Sequence, residues 1–169
     1  MTWRSMLNIS AVTMFGLALL AGSVVGAPKA KVSKRQLVGS WSLVSNTTAN
    51  SSAPPFGAND GFAVFESNGR FSLSLVRADL PKFASNNRAT GTADENKAVV
   101  QGSIAYFGTY SVNAADGSMT LHIERSSFPN WDGTDQQRTI TSLTAQELKY
   151  TNSAASTGGS AELTWKRVK

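Results

Sequence analysis

Residues Gln36 to Asn46 read QLVGSWSLVSN. With a period of two, Leu37, Gly39, Trp41 and Leu43 fall on one face of a strand, and Ser40, Ser42 and Asn46 on the other. A glycine two residues before a tryptophan leaves room for the indole to lie across neighbouring backbone. The far end of the chain repeats the alternation: in AELTWKR, Leu163, Trp165 and Arg167 share a face. If the first and last strands are neighbours, Arg167 covers the Trp41 ring as a cation–π partner worth roughly 0.5–2 kcal/mol.

Between these two strands the chain alternates strand patterns with turn signals. A polar loop, TTANSSAPPFGAND, leads to GFAVFES, and Asn68-Gly69 marks a hairpin into RFSLSLVR. There Phe71, Leu73, Leu75 and Arg77 share one face, so Arg77 ends an otherwise apolar stripe. After the aperiodic ADLPKFASNNRATG, the Thr92–Glu95 spacing matches a capping box and predicts a helix to about Tyr106, with Ala98, Val99, Gly102, Ala105 and Tyr106 on one side. TYSVN and MTLHIERSS follow, separated by an Asp116-Gly117 hairpin signal. The loop FPNWDGTD, then QQRTITSLT, ELKYT and the closing strand complete eight strand candidates. The expected fold is all-β, an eight-stranded antiparallel up-and-down barrel with one inserted helix and room for a small ligand. A two-sheet sandwich would give a similar pattern.

Residues 1–26 carry one Arg before an apolar run that ends in small residues, the pattern of a secretory signal peptide. Cleavage near Ala27 leaves 143 residues: a basic lead-in over 27–35 and a domain over 36–169, long enough for one real core. The protein is then expected in the periplasm or secreted, with no stable membrane insertion after cleavage. There is no cysteine, which removes disulfides, lipid attachment at the cut, thiol nucleophiles and Cys-based metal sites. With His122 as the single histidine, a metal site would need almost wholly carboxylate ligands, and neither metal nor other cofactor is expected. The net charge of +5 sits in the tails: between Gln36 and Trp165, eight Lys or Arg stand against eleven Asp or Glu, a net of −3. No basic stripe crosses a folded face, so nucleic acid is not an expected partner.

The first-strand G-x-W with a late Arg resembles the lipocalin signature. Together with PPFG, the RADLPKFASNNRATGT run, QGSIAYFGTY, HIERSSFPNW-DGT, Arg138 and the final TWKR, the chain is similar to the lipocalin-like domain family of bacteria and fungi from about Leu37 to Arg167. That resemblance implies a small up-and-down β-barrel of a kind that sometimes accompanies small-molecule or polyketide pathways. Relatives often carry a second His just before His122, where this chain has Leu121; the departure weakens any mechanism built on a His pair.

The candidate ligand-binding residues are Trp41, Phe71, Leu73, Arg77, Tyr110, His122, Glu124, Trp131 and Arg138. Trp41, Phe71 and Leu73, with Leu43, Leu75 and Trp165, would line the apolar part of a pocket. Arg77 or Arg138 would clamp a carboxylate or phenolate bidentately. Trp131 would serve as a lid aromatic, and Tyr106 and Tyr110 would supply phenol hydroxyls. His122 and Glu124, two apart, project to one face and form a general acid–base pair on paper. Alternation opposes this, since Met119, Leu121 and Ile123 make the better core face; the family motif implies a pocket role. No G-x-S-x-G, phosphate-cradling loop or dinucleotide fingerprint is present. The expected function is an exported barrel that binds a small apolar or amphipathic molecule. The alternatives are a cyclase or isomerase using His122 and Glu124, and an envelope interaction module with a filled core.

Overall fold

The structure, a computed structural model, describes residues 32–49 and 56–169. The expected signal peptide, most of the basic lead-in and part of the loop after the first strand lie outside them. The strands are β1 (Gly39–Thr48), β2 (Gly61–Phe65), β3 (Arg70–Val76), β4 (Ser103–Asn113), β5 (Ser118–Ser126), β6 (Asp135–Leu143), β7 (Glu147–Asn152) and β8 (Ala161–Arg167). A short helix, α1 (Lys34–Leu37), precedes β1, and α2 (Ala93–Gly102) stands between β3 and β4. The strands form a closed antiparallel barrel in sequence order, with β8 pairing back onto β1. No sandwich is formed, because every strand edge finds a partner inside the same sheet.

At one end, the tight links β2–β3, β4–β5 and β6–β7 meet α1 and the end of β8. The expected hairpin at Asn68-Gly69 is there, with Gly69 at φ 93 and its N–H donating to the Glu66 carbonyl at 3.0 Å. At the other end lie the longer links, including α2 and the 3-10 turn Pro129–Trp131.

The capping box forms as its spacing predicts: Glu95 N–H donates to Thr92 Oγ1 at 3.2 Å, and Thr92 N–H to Glu95 Oε2 at 2.8 Å. The helix, however, ends at Gly102 rather than near Tyr106. From Ser103 onward Ile104, Tyr106, Gly108 and Tyr110 turn inward at period two, and pairing with β3 overrides the helical reading.

Bulges break three of the pairings. On β1, Leu43 pairs with Trp165 and Ser45 with Thr164, so Val44 has no opposite number. The extra residue reverses which side chains face inward, and Asn46, assigned by simple alternation to the outer face, is buried inside. On β5, Glu124 is passed over in the same way between Arg125 and Ile123. Gly108 sits opposite that slip, where a Cβ would collide with the His122 carbonyl oxygen.

The closure expected from the sequence is formed. Trp41 pairs with Arg167 across β1 and β8, and the guanidinium lies 4.0 Å from the ring centroid. Gly39 serves a different purpose from the one its spacing suggested. It makes room for Arg167 rather than for the indole, since a Cβ there would collide with Arg167 Nη1, and its φ of 133 suits glycine alone.

Candidate functional site: a half-hollow barrel

The interior divides into a filled half and a hollow half. The filled half adjoins the tight hairpins, where Trp41 and Trp165 are fully buried with Leu43, Phe65, Phe71, Leu73, Met119, Leu121 and Leu148. Trp41 Nε1 donates to the Leu37 carbonyl at 2.9 Å, and Tyr110 Oη to the Glu66 carbonyl at 2.9 Å. Tyr110 also meets Phe65 edge-on at 5.1 Å, and burial pushes its hydroxyl pKa up. Of the expected pocket residues, Trp41, Phe71, Leu73 and Tyr110 therefore pack this solid half and do not line the hollow one.

The hollow half is a cavity of about 590 Å³ at the end that carries the long links. Its apolar wall includes Leu75, Ile104, Leu163 and Ala161, with Phe56 and Phe128 from flanking loops and Val99 and Val100 from α2. Of the nine candidate ligand-binding residues two line it, Trp131 and Arg138; Leu75 and Tyr106, also expected in a pocket, line it too. Trp131 is tucked in by the 3-10 turn and meets both Tyr106, at 5.3 Å, and Phe128, at 5.8 Å, edge to face.

Arg138 faces inward from β6 and is 1 % exposed. Nη1 donates to the Gln137 carbonyl at 2.8 Å, while Nε and Nη2 have no hydrogen-bond partner. The guanidinium carbon lies 5.8 Å from the Trp131 ring. No Asp or Glu lines the cavity among the described residues. Arginine keeps its proton under all ordinary conditions, so this is a buried cation without an anionic neighbour in its cavity.

Three buried polar residues of the lining escaped the sequence reading: Asn46, Tyr150 and Asn152. Burial drives the Tyr150 hydroxyl pKa far up; Tyr106 pushes the same way and Arg138 opposes, so the phenol stays protonated and able to donate. Leu148, Tyr150 and Asn152 share one inward face, a signal that extending the ELKYT alternation by one residue would have shown. Asn46 had no such signal, because a bulge turned it inward.

The remaining candidates lie outside the cavity. His122, its side chain 51 % exposed, is on the outer face, and its Nδ1 is 2.8 Å from Asp135 Oδ1. Glu124 is half-buried and pairs with Arg70. The two face different partners and no enclosed space, so the acid–base pairing is corrected: alternation, not the family motif, describes His122. Arg77 lies just beyond β3 and pairs with Asp79, through Nε to Oδ1 at 2.8 Å and through Nη2 to Oδ2. That hydrogen-bonded pairing raises the guanidinium pKa and lowers that of the Asp79 carboxyl. The apolar stripe of β3 does not carry Arg77 inward, because the strand ends at Val76. Among the described residues, no group of His, Asp and Glu is arranged to hold a metal ion, and no helix is long and apolar enough to cross a membrane.

The sequence profile of the lipocalin-like domain matches residues 38–168, which is nearly the whole barrel. The chain belongs to the lipocalin-like domain family. Among solved structures, this lipocalin-like chain is similar to a lipocalin-like protein from Bacteroides uniformis, at 14 % identity over 79 % of this chain and 99 % of that one, with a TM-score of 0.46. It is also similar to a redesigned β-barrel, at 16 % identity over 80 % and 95 % of the two chains, with a TM-score of 0.44. No curated protein matches it. The lipocalin-like barrel, with one end open to a cavity, is a ligand-binding architecture in general terms.

Proposed function

We propose that this protein is an exported carrier that holds a small, largely apolar molecule in the hollow half of its barrel. The observation that carries the reading is the cavity itself. At about 590 Å³ it falls within the size range of small-molecule sites, and aliphatic and aromatic side chains supply most of its wall. A barrel of this size fills its interior with side chains unless the space has a use, and here only one half is filled. Export is supported by the leader sequence, and a periplasmic or secreted location follows from it.

Two measurements test these claims. Leu163, buried on β8, lines the cavity; Leu163→Trp should fill it and lower uptake of the apolar dye Nile red by about tenfold or more, at some cost in stability from overpacking. Native mass spectrometry of protein recovered from its host should show a small added mass that the variant lacks. Absence of both an added mass and dye uptake in the wild type would end the carrier reading. For export, intact mass should place the mature N-terminus near Ala27; Met1-containing chains in the membrane fraction would contradict it.

A further inference from the structure

Arg138 is buried with fewer partners than a buried guanidinium needs. One of its three nitrogens is satisfied, by the Gln137 carbonyl, and the Trp131 ring offers only a face at 5.8 Å. The unpartnered Nε and Nη2 lie on one edge of the guanidinium, where their two N–H bonds run parallel. That edge matches the two oxygens of a carboxylate. A buried cation left unpaired is strongly unfavourable, and the cavity lining offers no acid to neutralise it.

Building on the carrier reading, we propose that Arg138 is an anion subsite inside the cavity and that the carried molecule is a monocarboxylic acid. Its carboxylate is held against the free edge of Arg138, which turns toward the cavity to receive it because Nε and Nη2 are enclosed in the unliganded protein, and its apolar body extends toward Val99, Val100 and Phe56 at the mouth. One guanidinium supplies one positive charge, which favours a monoanion over a phosphate dianion. Tyr150, kept protonated by burial, is a further donor in the same cavity. The polar groups thus fix the acid, and the shape of the wall selects the tail.

The test uses protein recovered from its host and two matched pairs of probes, decanoate with decanol and naphthaleneacetate with naphthaleneethanol, titrated calorimetrically near neutral pH. Wild type should bind the acid of at least one pair about tenfold to a hundredfold more tightly than its alcohol. Arg138→Met, similar in shape but uncharged, should lose that preference while its affinity for the alcohol stays within about threefold. Arg138→Lys, which keeps the charge without the two-donor edge, should fall between. The wild type carries its own check should Arg138→Met fail to fold: affinity for the acid, but not the alcohol, should drop as pH falls through the carboxylate range. Equal binding of acid and alcohol by wild type, or a preference that survives in Arg138→Met, overturns the anion subsite and leaves the carrier reading standing. If none of the four probes binds, the anion subsite falls, and the carrier reading stands or falls with the added mass and the dye uptake.

Discussion

Each half of the barrel sets an arginine against a tryptophan, and the two pairs differ in how completely the arginine is used. In the filled half Arg167 lies 4.0 Å from Trp41 and donates through Nε to the Ala145 carbonyl at 2.7 Å, through Nη1 to Val38 at 2.7 Å and through Nη2 to Gln36 at 2.6 Å. In the hollow half Arg138 lies 5.8 Å from Trp131 and donates to one carbonyl. Arg167 is the more exposed of the two, yet every nitrogen has a partner. The deeper arginine is the one left incomplete. Between these two arginines, satisfied donors rather than depth separate a fastening from a proposed ligand site.

The contrast breaks most directly at Arg167. Arg167→Ala should cost about 2–3 kcal/mol in denaturant unfolding, because it removes the ring cover and leaves three carbonyls without a donor. A loss under about 0.5 kcal/mol would mean that the fastening is no stronger than an ordinary surface contact. Arg138→Met should move the other way in the unliganded protein, a gain of about 1–2 kcal/mol from removing an uncompensated buried charge. A loss as large as that at Arg167 would erase the distinction.

The smallest effect sharpens the comparison at the mouth. Glu95 accepts from the backbone N–H groups of Ala84 and Thr92, each at 2.8 Å, and these bonds hold its carboxyl pKa below the usual range. Its folded value lies below its unfolded one, so the stabilisation is complete above the ordinary carboxylate range and is lost as pH falls through the folded value. The protection factors of the Ala84 and Thr92 amides, each taken against the intrinsic exchange rate at the same pH, should therefore fall on going from about pH 7 to about pH 3, while Trp41 and its neighbours stay protected. Equal loss of protection at both ends would show that acid acts on the whole barrel.

The filled end was legible because its signals are local. The Asn68-Gly69 turn and the alternation of Trp41 with Leu43 each depend on a few adjacent residues, as does the Thr92 cap, the one such signal at the hollow end. The hollow end depends on register. One passed-over residue at Val44 carried Asn46 inward, and sheet pairing converted Ser103–Tyr106 from helix to strand. Arg138 was visible as a candidate, but only its burial and the two nitrogens left without a partner distinguish it from Arg77, which met Asp79 outside. His122 shows the reverse error. A motif shared with relatives pointed into the pocket, while the plain alternation of Met119, Leu121 and Ile123 already placed it on the outer wall.

The solid half of the barrel also fixes the route that the proposed cargo would take. With Trp41, Trp165 and their neighbours filling one end, the interior is a blind bore rather than a channel. Nothing can pass through it, and no concentration difference between the two ends can drive a flow. A molecule leaves by the path it entered, in the reverse order of contacts. For the proposed carrier, handover would take place at the open rim, to which the second half of α2 contributes Val100, 77 % exposed, and the dwell time would be set by how readily that rim gives way.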